Sequence, residues 1–282
     1  MKTSTQIVFF GTPDFSVTIL EELKKSDYTP SLVITAPDKK IGRKHILTRP
    51  PVAQWAYENS IPFLQPQHPK EVQSKLSALV NTVFIVAAYG YIIPQSILDI
   101  PTHGTLNVHT SILPKYRGAC PIESAILNGD SATGSTIMLM DSKMDHGPIL
   151  AQESIPLDEH TNREELFTIL SQHGAELLCS TLPFWLSGDL KPQQQDHGNA
   201  TFCQKITKAD GDITSDDDQA RYRKYLAYYG WPGVFFFEDD NNRIKVTRAR
   251  YEDSKFIIER VIPEGKKEVD YAQYLAHKKH TS

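Results

Sequence analysis

Between Thr82 and Ala88 the chain reads Thr-Val-Phe-Ile-Val-Ala-Ala, a near-continuous apolar run. It is far shorter than the ~18 residues that would cross a bilayer. With no polar alternation, it predicts a strand buried on both faces. Such strands belong to parallel sheets flanked by helices. The opening of the chain points the same way. Ile7-Val8-Phe9-Phe10 ends at Gly11-Thr12-Pro13, Val17, Leu20 and Leu23 then mark one helical face that Thr12 or Asp14 can cap, and Leu32-Val33-Ile34-Thr35 follows as a strand. This βαβ order predicts an α/β domain, a Rossmann-like, mostly parallel sheet with flanking helices. Gly11 is not part of a Gly-x-Gly-x-x-Gly fingerprint, which disfavours a nicotinamide cofactor.

Further along, Val52 to Glu58 reads as a helix and Ile61 to Leu64 as a short strand. Pro69 opens a helix to about Leu79, and Pro94 a short one to Leu98. Thr105 to His109 alternates like a strand. Gly134 to Asp141 is another, running into the loop Ser142 to Gly147, and Ile149 to Ile155 is expected to pair with it antiparallel. Cys120-Pro121-Ile122 leads into a helix to Leu127, and Asn162 to Leu186 is the longest helical pattern. Ala36 to Pro51 is too broken by Pro and Gly to be a regular element. Past Ser187 the composition turns polar, with Gly, Pro and the run Gln193-Gln194-Gln195. The expected organisation is a domain over residues 1–187, a linker over 188–204 and a small domain over 205–282. Val234 to Phe237, Ile244 to Val246 and Phe256 to Ile258 read as short strands before a final helix from Tyr271, a spacing that predicts a small β-barrel-like domain of OB type.

Cys120, Cys179 and Cys203 are widely spaced and include no Cys-x-x-Cys pair, which argues for reduced thiols and against a disulfide framework or structural zinc. The N-terminus lacks the apolar region and cleavage site of a secretory signal, so a cytoplasmic protein is expected. A formal net charge of −4 does not mark a nucleic-acid binder; any positive surface has to be local.

The chemistry concentrates between Gly104 and Gly147. On a strand, Asn107 and His109 point to the same side. Asp145, in the loop after a neighbouring strand, can meet His109 at one end of the sheet. Taken singly, Asn107 as a turn cap, His109 as a satisfied core histidine and Asp145 as a turn residue are the ordinary readings. Together, a His donor and an Asn amide suit an oxyanion developing in a shielded site. A carboxylate beside the imidazole can tune it and take a proton directly or through a water. Ligands of open α/β sheets sit beyond the carboxyl ends of the strands, which puts Ala88 to Ile92 near His109, where backbone groups can meet a flat heterocycle. There is no Gly-x-Ser-x-Gly elbow and no phosphate-binding Gly-x-x-x-x-Gly-Lys-Ser/Thr loop. His109, Asp145 and His146 lack the helical spacing of a metal-ligand pair, and no metal is expected.

Asn107-x-His109, then Ser111-Ile112-Leu113-Pro114-Lys115-Tyr116-Arg117-Gly118-Ala119-Cys120-Pro121-Ile122, then Met140-Asp141-x-x-x-Asp145-x-Gly147, resembles the formyltransferases that use 10-formyltetrahydrofolate. The resemblance implies Asn107, His109 and Asp145 as catalytic residues. It implies a folate site at Ser111, Ile112, Leu113, Pro114 and Asp141, with the pterin ring at Ala88, Tyr89, Gly90 and Tyr91.

Phe10-Gly11-Thr12-Pro13-Asp14-Phe15 and the basic stretch holding Lys39, Lys40, Arg43, Lys44 and Arg49 resemble the methionyl-tRNA branch of that family. There the basic loop inserts at the tRNA acceptor end, which implies tRNA contact by Lys39, Lys40, Arg43 and Lys44, Arg43 above all. By itself the stretch reads first as a solvated surface loop. Trp231-Pro232-Gly233 and Ile262-Pro263-Glu264-Gly265-Lys266-Lys267 are similar to the C-terminal domain of the same branch, although the domain is shorter and Tyr228-Tyr229-Gly230 departs from its pattern. Arg243 and Lys245 share one strand face, and Arg248 and Arg250 take the other unless a bulge intervenes. The implied activity is formyl transfer from 10-formyltetrahydrofolate to methionyl-tRNA by a monomer without membrane contact, with catalysis in residues 1–187 and tRNA contact in 205–282. The alternatives are an amino-sugar N-formyltransferase with a nucleotide-sugar acceptor, and a folate- or tRNA-binding module without catalysis.

Overall fold

The structure, a computed structural model, describes residues 5–42, 45–238 and 242–281. It divides into two compact units. One runs to Gly118 and takes in Thr133–Ile155 and Phe167–Phe202; the other takes Ala119–Ala132, Pro156–Leu166 and the chain from Cys203 onward.

The first unit is built on a seven-stranded sheet in the order Ile149–Pro156, Ala132–Leu139, Thr105–His109, Thr82–Ala87, Gln6–Gly11, Leu32–Ile34, Phe63–Leu64. Thr82–Ala87 runs parallel to both of its neighbours. Its side chains alternate between two cores. Val83 and Ile85 join Phe9, Leu20, Leu106 and Leu178 on one side, and Phe84 and Val86 join Phe10, Ile34, Leu76 and Ile97 on the other. That is why the run is apolar from Val83 to Ala87: each residue faces a helix-covered layer, and each large side chain removed from water contributes about 1.5–3 kcal/mol. Ala132–Leu139 pairs antiparallel with Thr105–His109, with His109 opposite Thr136. Leu139 N–H donates to Pro148 O and Ser154 Oγ to Thr133 O, so the strand from Ile149 runs antiparallel to it, as expected.

Several local expectations change. The helix Asp14–Lys25 has Pro13 at its N-cap with no side-chain cap; Thr12 Oγ1 instead donates to Tyr89 O at 3.0 Å and Ser16 Oγ to Ala87 O at 2.6 Å, tying the helix start to the end of the central strand. Ala36 to Pro51 is not irregular. Lys39–Ile41 and Ile46–Thr48 form an antiparallel hairpin, because Gly42 and His45 take positive φ (71° and 50°) and close the turn. Lys39, Lys40, Ile46 and Leu47 are exposed on it. Arg43 and Lys44 lie outside the described residues. The segment after Ser187, expected to be a linker, is laid along the first unit: Ile149 and Gln193 exchange backbone hydrogen bonds at 2.7 and 2.8 Å, and Arg117 N donates to Thr201 O at 2.9 Å.

The second unit carries helices Pro121–Asn128 and Asp218–Ala227, the latter capped by Asp217. Its antiparallel sheet orders Val234–Phe237, Arg243–Glu252, Lys255–Pro263 and Val269–Asp270, followed by the helix Tyr271–Thr281. Register shifts on both sides of Arg248 mark a bulge. Parity therefore changes along the strand: Ile244 and Val246 are buried, and Arg248 and Arg250 are exposed like Arg243. Glu259 pairs with both Arg248 and Arg250. Cys120, Cys179 and Cys203 are free. Among the described residues, no helix is long and apolar enough to cross a membrane.

Candidate active site

Asn107 and His109 occupy the carboxyl half of an interior strand; Asn107 is paired on both sides, and His109 on the side of Thr136. His109 is buried and Asn107 half-buried. His109 Nε2 lies 3.0 Å from Tyr116 O. A carbonyl only accepts, so Nε2 carries a proton there. Nδ1 then faces Asp145 Oδ2 across 3.8 Å, too far for a direct hydrogen bond. That same Oδ2 accepts Gly118 N–H at 2.7 Å. The loop carboxylate and the strand imidazole do meet at the sheet end, with the separation left open.

The turn from Ser111 to Gly118 brings Tyr116 and Gly118 into these roles. Thr136 organises its start. Its Oγ1 donates to Ser111 O at 2.6 Å and accepts from Leu113 N at 3.3 Å and Gln152 Nε2 at 2.8 Å, which uses its whole capacity. Ser111 Oγ donates to Lys115 O at 2.5 Å. Ser111 and Leu113 are buried, and Ile112 and Pro114 half-buried, so Ser111 and Leu113 hold the turn while the half-buried pair can face a ligand.

Ala88 to Tyr91 forms the other wall. Ala88 has φ 47° and is exposed, as is Gly90 (φ 83°). Tyr89 points inward, 3 % exposed, against Phe10 and Tyr91. Burial pushes its phenol up to about 12, and its hydroxyl has no hydrogen-bond partner among the described residues. The turn therefore offers backbone and Ile92, which is 90 % exposed, rather than the Tyr89 side chain. With Ala88, Tyr116 (φ 60°) and Asp145 (φ 46°) all non-glycine residues at positive φ, backbone strain collects around the site.

Asp141 accepts from His146 Nδ1 at 2.7 Å and from Lys143 N at 2.9 Å. The His146 ring stacks on His197, centroids 4.0 Å apart. His197 Nδ1 is 2.9 Å from Arg117 Nη2, and an arginine only donates, so Nδ1 accepts and the ring is neutral. Lost solvation, and then the neighbouring His146 and Arg117, hold His197 below the ordinary imidazole range. Buried Arg117 and Gln195 complete this cluster, and sequence reasoning missed both along with Thr136 and His197. Arg117 lies inside the Lys-Tyr-Arg-Gly motif and was the one with a signal. Lys39 and Lys40, exposed on the hairpin, take no part in the hydrogen-bonded cluster of described residues; Arg43 and Lys44 are outside those residues. Among the described residues, no group of three His, Cys, Asp or Glu side chains could hold a metal ion.

Residues 5–182 match the family described as Formyl transferase. A methionyl-tRNA formyltransferase of Listeria welshimeri is 40% identical over 254 residues, 89% of this chain and 81% of its own length. One from a Hydrogenobaculum species is 47% identical over 203 residues, 72% of this chain and 67% of its own. Among solved structures, the sugar 3N-formyl transferase WlaRD superposes with a TM-score of 0.67 at 19% identity, covering 94% of this chain and 100% of that one. HypX from Aquifex aeolicus with tetrahydrofolic acid gives 0.67 at 16% identity, covering 97% of this chain and 47% of that one. At those identities the two structures speak for the fold.

Proposed function

The chain belongs to the formyl transferase family, and from that premise we propose that it moves the formyl group of 10-formyltetrahydrofolate onto the amino group of methionyl-tRNA. The observation that carries this reading is the 3.8 Å approach of His109 Nδ1 to Asp145 Oδ2, inside the matched region. In this reading the methionyl amine attacks the formyl carbon, the carbonyl oxygen gains charge, the carbon–nitrogen bond to the folate breaks, and the folate nitrogen takes up a proton. With Nε2–H given to Tyr116 O, the ring position turned toward the oxyanion is Nδ1, beside the Asp145 carboxylate. Asn107 adds a second donor from the same strand face. Asp145 takes the proton lost by the amine, directly or through a water.

The folate site is assigned to Ala88, Tyr89, Gly90, Tyr91, Ser111, Ile112, Leu113, Pro114 and Asp141, with Tyr89 contributing backbone. Tetrahydrofolate in the HypX structure supports a folate donor for this fold. The tRNA end is assigned to Lys39 and Lys40 on the hairpin, with Arg43 and Lys44 beyond the described residues, and to the unit from residue 205. The division at 187 and 205, a monomeric state and a cytoplasmic location belong to the same proposal.

The test supplies the purified protein with labelled formyl donor and two acceptors in parallel, methionyl-tRNA and an amino-sugar nucleotide. Label on the tRNA alone supports the reading; label on the sugar alone moves the chain to the other acceptor class.

A further inference from the structure

Gln195 stands in a run of glutamines that composition assigns to a polar connector, yet it is 6 % exposed while Gln193 and Gln194 are exposed. Its carboxamide is saturated. Nε2 donates to Asp145 O at 3.0 Å and Gly147 O at 2.7 Å. Oε1 accepts from Arg117 Nε at 3.1 Å and Arg117 Nη2 at 2.6 Å. Two donors and two lone pairs are all used. The orientation of the amide is forced, because carbonyls only accept and a guanidinium only donates.

We propose that Gln195 is a positioning residue for Asp145, acting by holding the backbone of the 145–147 loop rather than by touching substrate. The inference rests on the reading of this site as a formyl-transfer centre. Asp145 is gripped at two points. Its carboxylate accepts Gly118 N–H, and its carbonyl accepts Gln195. Arg117, next to Gly118 in sequence, holds the other end of the same amide, so the two grips share one frame. Between them, Asp145 keeps φ 46°, a conformation that most residues leave when unsupported. Without the Gln195 bond the loop backbone relaxes and the carboxylate leaves its place across from His109. Displacements of about 1 Å at a reacting centre cost up to about a hundredfold in rate.

The choice of amide is diagnostic. If the task at this position were to neutralise Arg117, a glutamate would serve at least as well. Only an amide accepts from the guanidinium and also donates to two carbonyls. Gln195→Glu keeps the contact with Arg117 and faces the carbonyls of Asp145 and Gly147 with a carboxylate oxygen, which repels them.

The experiment compares the parent, Gln195→Glu, Gln195→Met and Asp145→Asn, alone and combined with Gln195→Met. The readouts are formyl transfer to methionyl-tRNA, tetrahydrofolate affinity, and far-ultraviolet circular dichroism. The parent is measured first: no transfer by it overturns the functional reading, independently of Gln195. Given an active parent, the expected result is a drop in kcat of about tenfold to a hundredfold in both Gln195 variants, with KM values and tetrahydrofolate affinity within twofold of the parent. In the Gln195→Met background, Asp145→Asn should cost less than it does in the parent, since the carboxylate is already misplaced. Parent-like turnover of Gln195→Glu overturns the proposal, as does full additivity with Asp145→Asn. Loss of folding or of tetrahydrofolate binding in both Gln195 variants also overturns it, by making Gln195 a general structural residue.

Discussion

His109 gives one ring nitrogen to the carbonyl of Tyr116, at 3.0 Å, and holds the other 3.8 Å from the carboxylate of Asp145. Tyr116 sits at φ 60° and Asp145 at φ 46°, so both partners of the imidazole stand on backbone that has to be held in place. The strand sets the ring, the turn sets its tautomer and the loop sets its charge partner.

Asn107 shares the strand face of His109 and is half-buried. If Asn107 is the second oxyanion donor proposed above, Asn107→Ala removes it, and the expected loss in kcat is on the order of 10²-fold. Single-turnover transfer with saturating donor and acceptor measures it, with tetrahydrofolate affinity changing little. A loss confined to KM would assign Asn107 to binding.

Thr136 Oγ1 joins Ser111 O, Leu113 N and Gln152 Nε2. Thr136→Val keeps the shape and strands buried polar groups on the turn proposed to meet folate. The expected cost is on the order of 3 kcal/mol, since each buried group left unsatisfied costs ~1–3 kcal/mol and such costs add incompletely. Urea titration reads the stability and fluorescence titration the weakened tetrahydrofolate affinity. Unchanged values in both would show that the turn does not depend on this hydroxyl.

Tyr89 buries a hydroxyl without a partner among the described residues, and burial pushes its phenol up to about 12. A group whose folded value is raised contributes stability that is complete below the unfolded value, near 10, and is lost as pH rises toward about 12. Tyr89→Phe should therefore be neutral or slightly stabilising at pH 7 and should soften the alkaline loss of stability between pH ~10 and ~12. Its folate affinity should match the parent, because the turn presents backbone. Denaturant titration across pH checks the first claim, and a drop in tetrahydrofolate affinity would contradict the second.

Gly147 has no room for a side chain: a Cβ there would overlap the carbonyl of Leu139. Gly147→Ala should destabilise by about 1–3 kcal/mol and shift the loop that carries Asp145. Thermal unfolding and transfer rate should fall together; a stable but inactive variant would separate the two effects.

Lys39 and Lys40 stand exposed on the hairpin. If they follow the phosphate backbone, Lys39→Ala and Lys40→Ala each raise KM for methionyl-tRNA, leave KM for the folate donor unchanged, and lower the slope of log affinity against log salt by about 0.7–1 per lost contact. An unchanged slope would make the hairpin an ordinary charged surface.

The parts legible in the sequence were those with a local or periodic signature. Thr82–Ala87 declared itself because a strand buried on both faces is apolar at nearly every position. Asn107 and His109 were placed on one face by a spacing of two, and Asp145 by a loop following the paired strand. The hairpin at Lys39–Thr48 was hidden because His45, a residue without a strong turn preference, shares with Gly42 the positive φ that closes it. Gln195 and Arg117 were hidden for another reason. A polar side chain reads as solvated until its partners are known, and theirs come from residues 48 to 80 positions away. The parity of Arg248 and Arg250 hinged on a bulge, which leaves no mark in the side-chain pattern until the pairing register is seen.

The most direct test of the account is the single-turnover rate of formyl transfer to methionyl-tRNA by His109→Ala beside the parent, with 10-formyltetrahydrofolate bound in both. The account predicts transfer by the parent and a fall on the order of 10²-fold or more in the variant, with tetrahydrofolate still bound. A variant that transfers formyl at the parental rate would contradict it.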